Sequence, residues 1–249
     1  MAKIVVQPPF QGFSKKGISF LRALKKNNDR DWFQKRKPVY ESELIAPSKS
    51  FLQDAVKPLK GLIPSLNVTP RSMSRIYRDV RFSDDKSPYH SHLAFLFRDL
   101  RGTEEFAPRL YMGFDPTGLA YGAGTFQFTT PQRDRFRTMI TEGPSAKSFE
   151  AIMKKIRKTT GFEPRGKALK KFPVGFDPKH PNSEFLLYNG LYLVFEEDFP
   201  KSFFTKDFYK YLTKIYKPLV PFMDWMADFA QQAPRSMERF VDIDESDLN

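Results

Sequence analysis

A chain of 249 residues without cysteine excludes disulfides, thiolate catalysis and zinc or iron–sulfur centres held by cysteine. The formal net charge of +12 favours anionic partners such as nucleic acid, anionic lipid or phosphorylated metabolites. No apolar stretch reaches the ~18 residues of a membrane span and Met1–Phe20 holds no signal-peptide core, so we expect a cytoplasmic protein without a membrane partner.

The N-terminal part of the chain is predicted to be helical. Apolar residues recur at helical spacing over Ile18–Lys26, and Asn27-Asn28 ends that helix. Asp29 or Asp31 caps a second helix, and a third begins near Pro47, at a first-turn position that tolerates proline. Further proline and glycine residues, beginning at position 58, are expected to close this helical start.

Strands are predicted in the next part of the chain. Met73–Phe82 and His90–Phe97 are rich in β-branched and aromatic residues, and residues 83–88 between them have turn composition. Leu110–Phe114 and Leu119–Phe128 flank a four-residue turn and predict a β-hairpin.

The last part of the chain returns to helical patterns. A helix is predicted over Pro131–Ile140 with Thr130 as its cap, and a second helix follows it. Phe185–Phe195 has strand composition around Asn189-Gly190, a dipeptide typical of hairpin turns. Phe203–Phe229 is predicted to be helical and divided by prolines.

This order of elements predicts an α+β protein with an antiparallel sheet packed against helices, because no regular β-α-β alternation occurs. We expect one domain over residues 1–249, with a helical cap at about 14–62 and a sheet-containing core at about 67–230. The acidic tail at about 242–249 lacks apolar periodicity and is expected to be disordered.

The densest group of polar residues lies between Arg75 and Tyr89. On a strand, Arg75, Asp79 and Arg81 would share one face, where Asp79 could hold both guanidinium groups. Guanidinium groups arranged in this way suit phosphate or carboxylate recognition. Arg78 would lie on the opposite, apolar face and must therefore be paired or sit at a sheet edge.

Three hypotheses follow for this group. It forms an anion site, whose expected ligand-binding residues are Arg75, Arg78, Asp79, Arg81, Lys86 and Tyr89. If the site is also catalytic, the candidates for proton transfer are Asp85, Tyr89 and His90. In the second hypothesis the same side chains form an internal clasp within a scaffold that acts through a partner surface. The third hypothesis is nucleic-acid binding.

The third hypothesis rests mainly on residues 147–179, which hold ten lysines and arginines against three acidic residues. Such a stretch is typical of phosphate-contacting surfaces, although a solvated helix face has the same composition. No P-loop, dinucleotide-binding fingerprint or Gly-x-Ser-x-Gly turn occurs, so we expect no cofactor. Neither the ligand nor the oligomeric state follows from the sequence.

Four motifs in this chain resemble those of a family of uncharacterised proteins, mainly bacterial with fungal members. The chief motif is R-D-x-R-F-S-x-D-K-x-P-Y at residues 78–89. The others lie at residues 20–33, at Gly122-x-Gly124 and at residues 169–181. The family carries no established activity, but a shared polar motif favours a site over a solvated ladder.

Metal binding is a further alternative, because His90 and His92 would share one strand face and Asp85 or His180 could add a third ligand. The family resembled here commonly has lysine where this chain has His90. Since lysine does not normally replace a metal ligand, we expect no metal.

Overall fold

Three helices open the part of the chain that the structure describes. This computed structural model describes residues 6–81, 83–103 and 106–233. The helices are α1 (Lys15–Lys26), α2 (Arg30–Tyr40) and α3 (Ala46–Leu62). The side chain of Asp29 caps α2 by accepting a hydrogen bond from the backbone N–H of Trp32, which selects Asp29 from the two predicted caps.

The second and third helices form one nearly continuous rod, joined by the π-helical turn Glu41–Ile45. The prediction that Pro58 helps to close the helical start is wrong, because Pro58 lies inside α3. Proline removes one backbone hydrogen bond, but the apolar face of α3 is buried on both sides of it, at Ala55 and Leu59. Packing of that face therefore outweighs the local defect.

Within the described residues, six antiparallel strands form one sheet in the order β1-β2-β3-β4-β6-β5. The strands are β1 (Leu66–Asn67), β2 (Leu93–Asp99), β3 (Arg109–Phe114), β4 (Leu119–Thr125), β5 (Glu163–Lys167) and β6 (Tyr188–Glu197). The predicted hairpin is confirmed, since β3 and β4 pair directly across their turn. The sheet and its helices confirm the predicted α+β class.

The helices pack on one face of the sheet, and aromatic rings fill the space between the two layers. Phe51 of α3 lies 5.2 Å from Phe95 of β2, measured between ring centroids. Tyr121 of β4 is fully buried and meets the ring of Tyr216 edge-on. Because side chains alternate along a strand, the neighbours of Phe95 and Tyr121 point to the other face.

The part of the chain that the structure describes has four further α-helices, which are α4 (Thr130–Thr141), α5 (Gly143–Thr159), α6 (Phe208–Tyr216) and α7 (Val220–Gln232). Thr130 is not the cap of α4 as predicted but its first residue, and Thr129 precedes the helix. The backbone N–H of Thr129 donates to the side chain of Gln132. None of the helices described is both long and apolar enough to cross a bilayer. The tail predicted to be disordered lies outside the described residues.

The prediction of a hairpin at Asn189-Gly190 is wrong, because both residues lie within the continuous strand β6. Gly190 is required there for a different reason. A Cβ atom at this position would lie 1.8 Å from the carbonyl oxygen of Phe126. The glycine allows two backbone segments to approach closely, rather than allowing a turn.

We expect Gly190→Ala to lower the free energy of unfolding by about 1–3 kcal/mol, because backbone must move to admit the methyl group. Thermal unfolding measures this change. Gly61→Ala near the end of α3 is the matched control, since a Cβ atom there meets nothing within 4 Å. This control should leave stability unchanged or raise it by up to about 1 kcal/mol. Equal melting temperatures for the two variants would contradict the close approach.

Candidate functional site

The polar segment between Arg75 and His90 does not form the predicted strand. Met73 and Tyr77 make isolated bridges to Phe95 and Tyr89, and no ladder connects them. The prediction of a strand over Met73–Phe82 is therefore wrong for the residues described, and Phe82 lies outside them. After its bridge to β2, the described part of this segment pairs with its own returning part through the bridge between Tyr77 and Tyr89.

Arg78 points inward and holds the returning segment. Its side chain is 7 % exposed, and one terminal nitrogen donates to Oδ2 of Asp85 at 2.5 Å. The guanidinium group also donates to the backbone oxygen of Ser87 and to the hydroxyl of Ser83. We call this set, Arg78 with Ser83, Asp85 and Ser87, the Arg78 clasp. It confirms that an arginine on the apolar side must be paired.

Asp85 serves the same clasp as an acceptor. Its Oδ1 accepts the backbone N–H of Ser87 at 2.9 Å, while Oδ2 accepts Arg78. Hydrogen bonds from Ser87 and then from Arg78 lower the pKa of Asp85 to about 2. A carboxylate held in this way is a structural acceptor and a poor proton donor near neutral pH.

Asp79, Arg81 and Lys86 lie on the outside of the segment. The guanidinium group of Arg81 donates to both carboxylate oxygens of Asp79, and this hydrogen bonding lowers the pKa of Asp79 to about 2. The ammonium group of Lys86 donates to the backbone oxygen of Val80 at 3.0 Å. These three predicted ligand-binding residues are thus close together, but they bind within their own loop.

Tyr89 is fixed from both sides. The side-chain amide of Asn28 donates to the Tyr89 carbonyl at 2.7 Å and its oxygen accepts the Tyr89 N–H at 3.1 Å. The ring stacks on Phe33 with centroids 4.2 Å apart, and burial raises the pKa of Tyr89. Asn28 therefore anchors the segment, a role that its predicted place at the end of a helix does not indicate.

The rings of His90 and His92 lie 4.8 Å apart. His180 is engaged elsewhere, where Nδ1 accepts the backbone N–H of Asn182. The described residues contain no cluster of three or more side chains suited to hold a metal ion.

A groove of about 700 Å³ opens between α2 and the outer side of this segment. Its aromatic lining residues are Phe33, Tyr40 and Tyr77, and its cationic ones are Lys37, Arg71 and Arg75. No acidic side chain is among the described residues that line it. A volume of this size is within the usual range of small-molecule sites. We refer to it below as the groove.

The aromatic lining of the groove is built from two parts of the chain. Tyr40 is buried, and this burial, with a smaller contribution from Tyr77, raises its pKa. Tyr77 is 58 % exposed and lies 5.4 Å from the buried ring of Tyr89, measured between centroids. The groove therefore has a fixed apolar base and one ring available to contact a ligand.

Of the predicted ligand-binding residues, Arg75 is the one in the groove, where sequence reasoning missed Lys37 and Arg71. Lys37 is exposed and 3.7 Å from Glu41 one helical turn later. The motif at residues 20–33 does include Phe33, but spacing along the chain did not indicate that α2 meets residues 70–77. This meeting is a consequence of tertiary packing.

The basic stretch at residues 147–179 lies on α5, on β5 and on the segment that follows β5. α5 exposes Lys154, Lys155 and Lys158, and β5 forms an edge of the sheet. Arg157 pairs with Glu184 at 2.6 Å. The predicted basic stripe on the helix is thus exposed, and it continues onto a sheet edge that the sequence analysis did not predict.

Two polar networks elsewhere in the fold were also missed. Glu197 accepts the hydroxyls of Tyr121 and Tyr211, and burial and this contact raise the pKa of Tyr211 to about 12. Arg101 binds the fully buried Asp99 and reaches Asp224 of α7. Both networks join the sheet to C-terminal helices, which suits a structural role.

Loss of the Arg78 clasp should lower the stability of the fold more than loss of the surface ion pair between Arg81 and Asp79. We expect Arg78→Ala to lower stability by about 2 kcal/mol, or roughly 4–8 °C in Tm, because buried hydrogen bonds to a charged group are lost. Arg81→Ala should leave Tm nearly unchanged, since its side chain is 74 % exposed. Differential scanning calorimetry of both variants measures this difference, and similar Tm losses would contradict the clasp.

The pH dependence of stability offers a second test. Because folding lowers the pKa of Asp85 from 3.8 to about 2, its ionised form stabilises the fold above about pH 4. This contribution disappears as the pH falls towards 2. We therefore expect the Tm of the wild type to approach that of Asp85→Asn between pH 4 and pH 2. A constant difference over this range would argue against an ionised acceptor.

One family of proteins matches most of the residues that form this fold. Neither the curated proteins nor the solved structures gave a match. A family model described as a conserved hypothetical protein matches residues 16–225, which include α1 except its first residue, all the helices and strands from α2 to α6, and part of α7. The chain therefore belongs to the conserved hypothetical protein family DUF2461.

Proposed function

We propose that the groove recognises a ligand that joins a phosphate or carboxylate to an aromatic or other flat apolar group. The observation that carries the proposal is the composition of its lining, in which three cationic side chains border three aromatic ones without an acidic residue among those described. Such a combination suits an anion with an apolar body better than a free inorganic ion.

The cationic side chains have distinct parts in this proposal. Arg71 and Arg75 are both exposed and flank the aromatic base from the same short segment. Guanidinium groups bind phosphate or carboxylate through paired N–H donors, so these two residues hold the anion. Lys37 lies across the groove on α2 and adds a third positive charge.

The aromatic side chains bind the body of the ligand. Tyr77 has an exposed ring, which a flat apolar group can cover at the expense of water. Phe33 and Tyr40 are buried and form the base beneath it. This arrangement supports recognition and does not require a catalytic step.

The clasp hypothesis also has a specific observation in its favour, namely the internal pairing of Arg78. The clasp hypothesis and the ligand-binding hypothesis are compatible, because they assign their roles to different residues. In our proposal Arg78, Ser83 and Asp85 stabilise the segment, and Arg71 and Arg75 bind the ligand. Asp79, Arg81, Lys86 and Tyr89, predicted as ligand-binding residues, then support the segment.

Calorimetric titration with phenyl phosphate, inorganic phosphate and phenol tests the proposal. We expect phenyl phosphate to bind roughly tenfold or more tightly than either fragment, because one ring burial is worth more than about 1.4 kcal/mol. Arg75→Ala should weaken this binding at least about tenfold. Arg81→Ala is the matched control, since it removes an equal charge from the same segment but outside the groove.

The proposal fails if phenyl phosphate does not bind at millimolar concentration. It also fails if Arg75→Ala and Arg71→Ala bind it as the wild type does. Equal loss in Arg81→Ala would indicate a general charge effect and would likewise overturn it.

A further inference from the structure

A row of cross-strand neighbours crosses the sheet on the face away from the helices. Arg98 pairs with Arg109, and Arg109 pairs with Gly124. Gly124 in turn pairs with Tyr192, which pairs with Arg165. Directly paired residues in a sheet project to the same side, so three arginines and one tyrosine stand in line across five strands.

The helices pack on the opposite face, which the intervening residues show. Phe97, Leu110 and Leu193 alternate with the members of this row and are buried in the core. Tyr192 is half-buried and Arg165 is exposed. We call the side that carries this row the open face.

Tyr111 provides a second aromatic ring on the open face, beside the row that contains Tyr192. Tyr111 occupies the adjacent row, where it pairs with Gly122. A Cβ atom on Gly113 would lie 2.2 Å from the hydroxyl oxygen of Tyr111 and 2.8 Å from Cζ. The ring of Tyr111 therefore extends along its own strand over Gly113. A Cβ atom on Gly122 of the neighbouring strand would lie 3.1 Å from the backbone oxygen of Leu193 and 3.4 Å from Cβ of Tyr111, so the space above this glycine is also limited.

The position of Tyr192, the tyrosine within the row, is set by a neighbouring ring. The ring of Tyr192 lies 5.2 Å from that of Phe126, at an interplanar angle of 32°. Gly124, its partner on β4, has a φ of +128° and no side chain to stand above the sheet. The open face thus carries the rings of Tyr111 and Tyr192, and the glycines of β4 between them have no side chains.

We propose that the open face binds single-stranded nucleic acid. Sequence-tolerant binding of single strands needs aromatic faces for the bases and cations for the phosphates. Tyr111 and Tyr192 supply the first, and Arg98, Arg109 and Arg165 supply the second. Four strand spacings of about 4.8 Å separate β2 from β5, so the row spans about 19 Å, enough for a few extended nucleotides.

Positive charge continues beyond the row along the edge strand β5. Lys167 follows Arg165 on the edge strand β5 and is exposed. These cations can continue the path of the phosphate backbone. A bilayer is a poorer fit, because the row consists mainly of arginines and does not form an apolar surface that could insert.

Fluorescence anisotropy with labelled 12-nucleotide strands tests this proposal at low salt. The probes are oligouridine, an abasic strand of equal length and a duplex, with anionic phosphatidylserine vesicles in a parallel sedimentation assay. We expect oligouridine to bind at least about tenfold more tightly than the abasic strand, because stacking contributes about 1–3 kcal/mol per base. Its affinity should fall steeply as salt rises.

The variants separate this face from other basic surfaces. Tyr192→Ala and Arg165→Ala should each weaken oligouridine binding at least about fivefold. Lys16→Ala, at an exposed lysine of α1 outside both proposed surfaces, should change it less than about twofold. Arg165 is exposed, so Arg165→Ala remains informative if Tyr192→Ala fails to fold.

Four outcomes would overturn the proposal. The first is the absence of strand binding at micromolar protein and about 50 mM salt. The second is equal affinity for the abasic strand or the duplex, which would show attraction by charge alone. The third is unchanged binding in Arg165→Ala, and the fourth is sedimentation with the vesicles when oligouridine does not bind.

Discussion

A buried guanidinium group organises the polar segment of this protein. Arg78 lies on the inner side of an extended chain, where an unpaired charge would be very costly. The segment therefore folds back until Asp85 and the oxygens of Ser83 and Ser87 reach that charge. The residues next to Arg78 alternate with it and face outward, so the same clasp that closes the loop also presents Arg75 and Tyr77 to the groove.

The two faces of the sheet have different requirements. One face is filled by large rings, among them Phe95 and Tyr121, and its position is set by burial of apolar area. The other face contains glycines at 113, 122 and 124, where a Cβ atom would meet a tyrosine side chain or backbone of the neighbouring strand. Large rings therefore occupy the core side, and the glycines leave little side-chain volume on the other side.

The proposed surfaces are separate, and both are positive. The groove combines its cations with a concave aromatic base, which suits a compact anion. The open face places its arginines in a line, which suits an extended polyanion. The net charge of +12 is thus distributed over surfaces of different shape, and shape decides which class of anion each one suits.

Local patterns alone determined the helices of the N-terminal part, the β3–β4 hairpin and the α+β class, because hydrophobic spacing and turn residues act over a few positions. They also required a partner for Arg78. Tertiary structure decided the rest. Only packing brings Lys37 of α2 to Arg71 and Arg75, and only the register of the sheet aligns Arg109 with Arg165. Asn189-Gly190 forms part of strand β6 and not a turn. Glycine is required there because the backbone of Phe126 approaches closely, and a local sequence pattern does not indicate this tertiary contact.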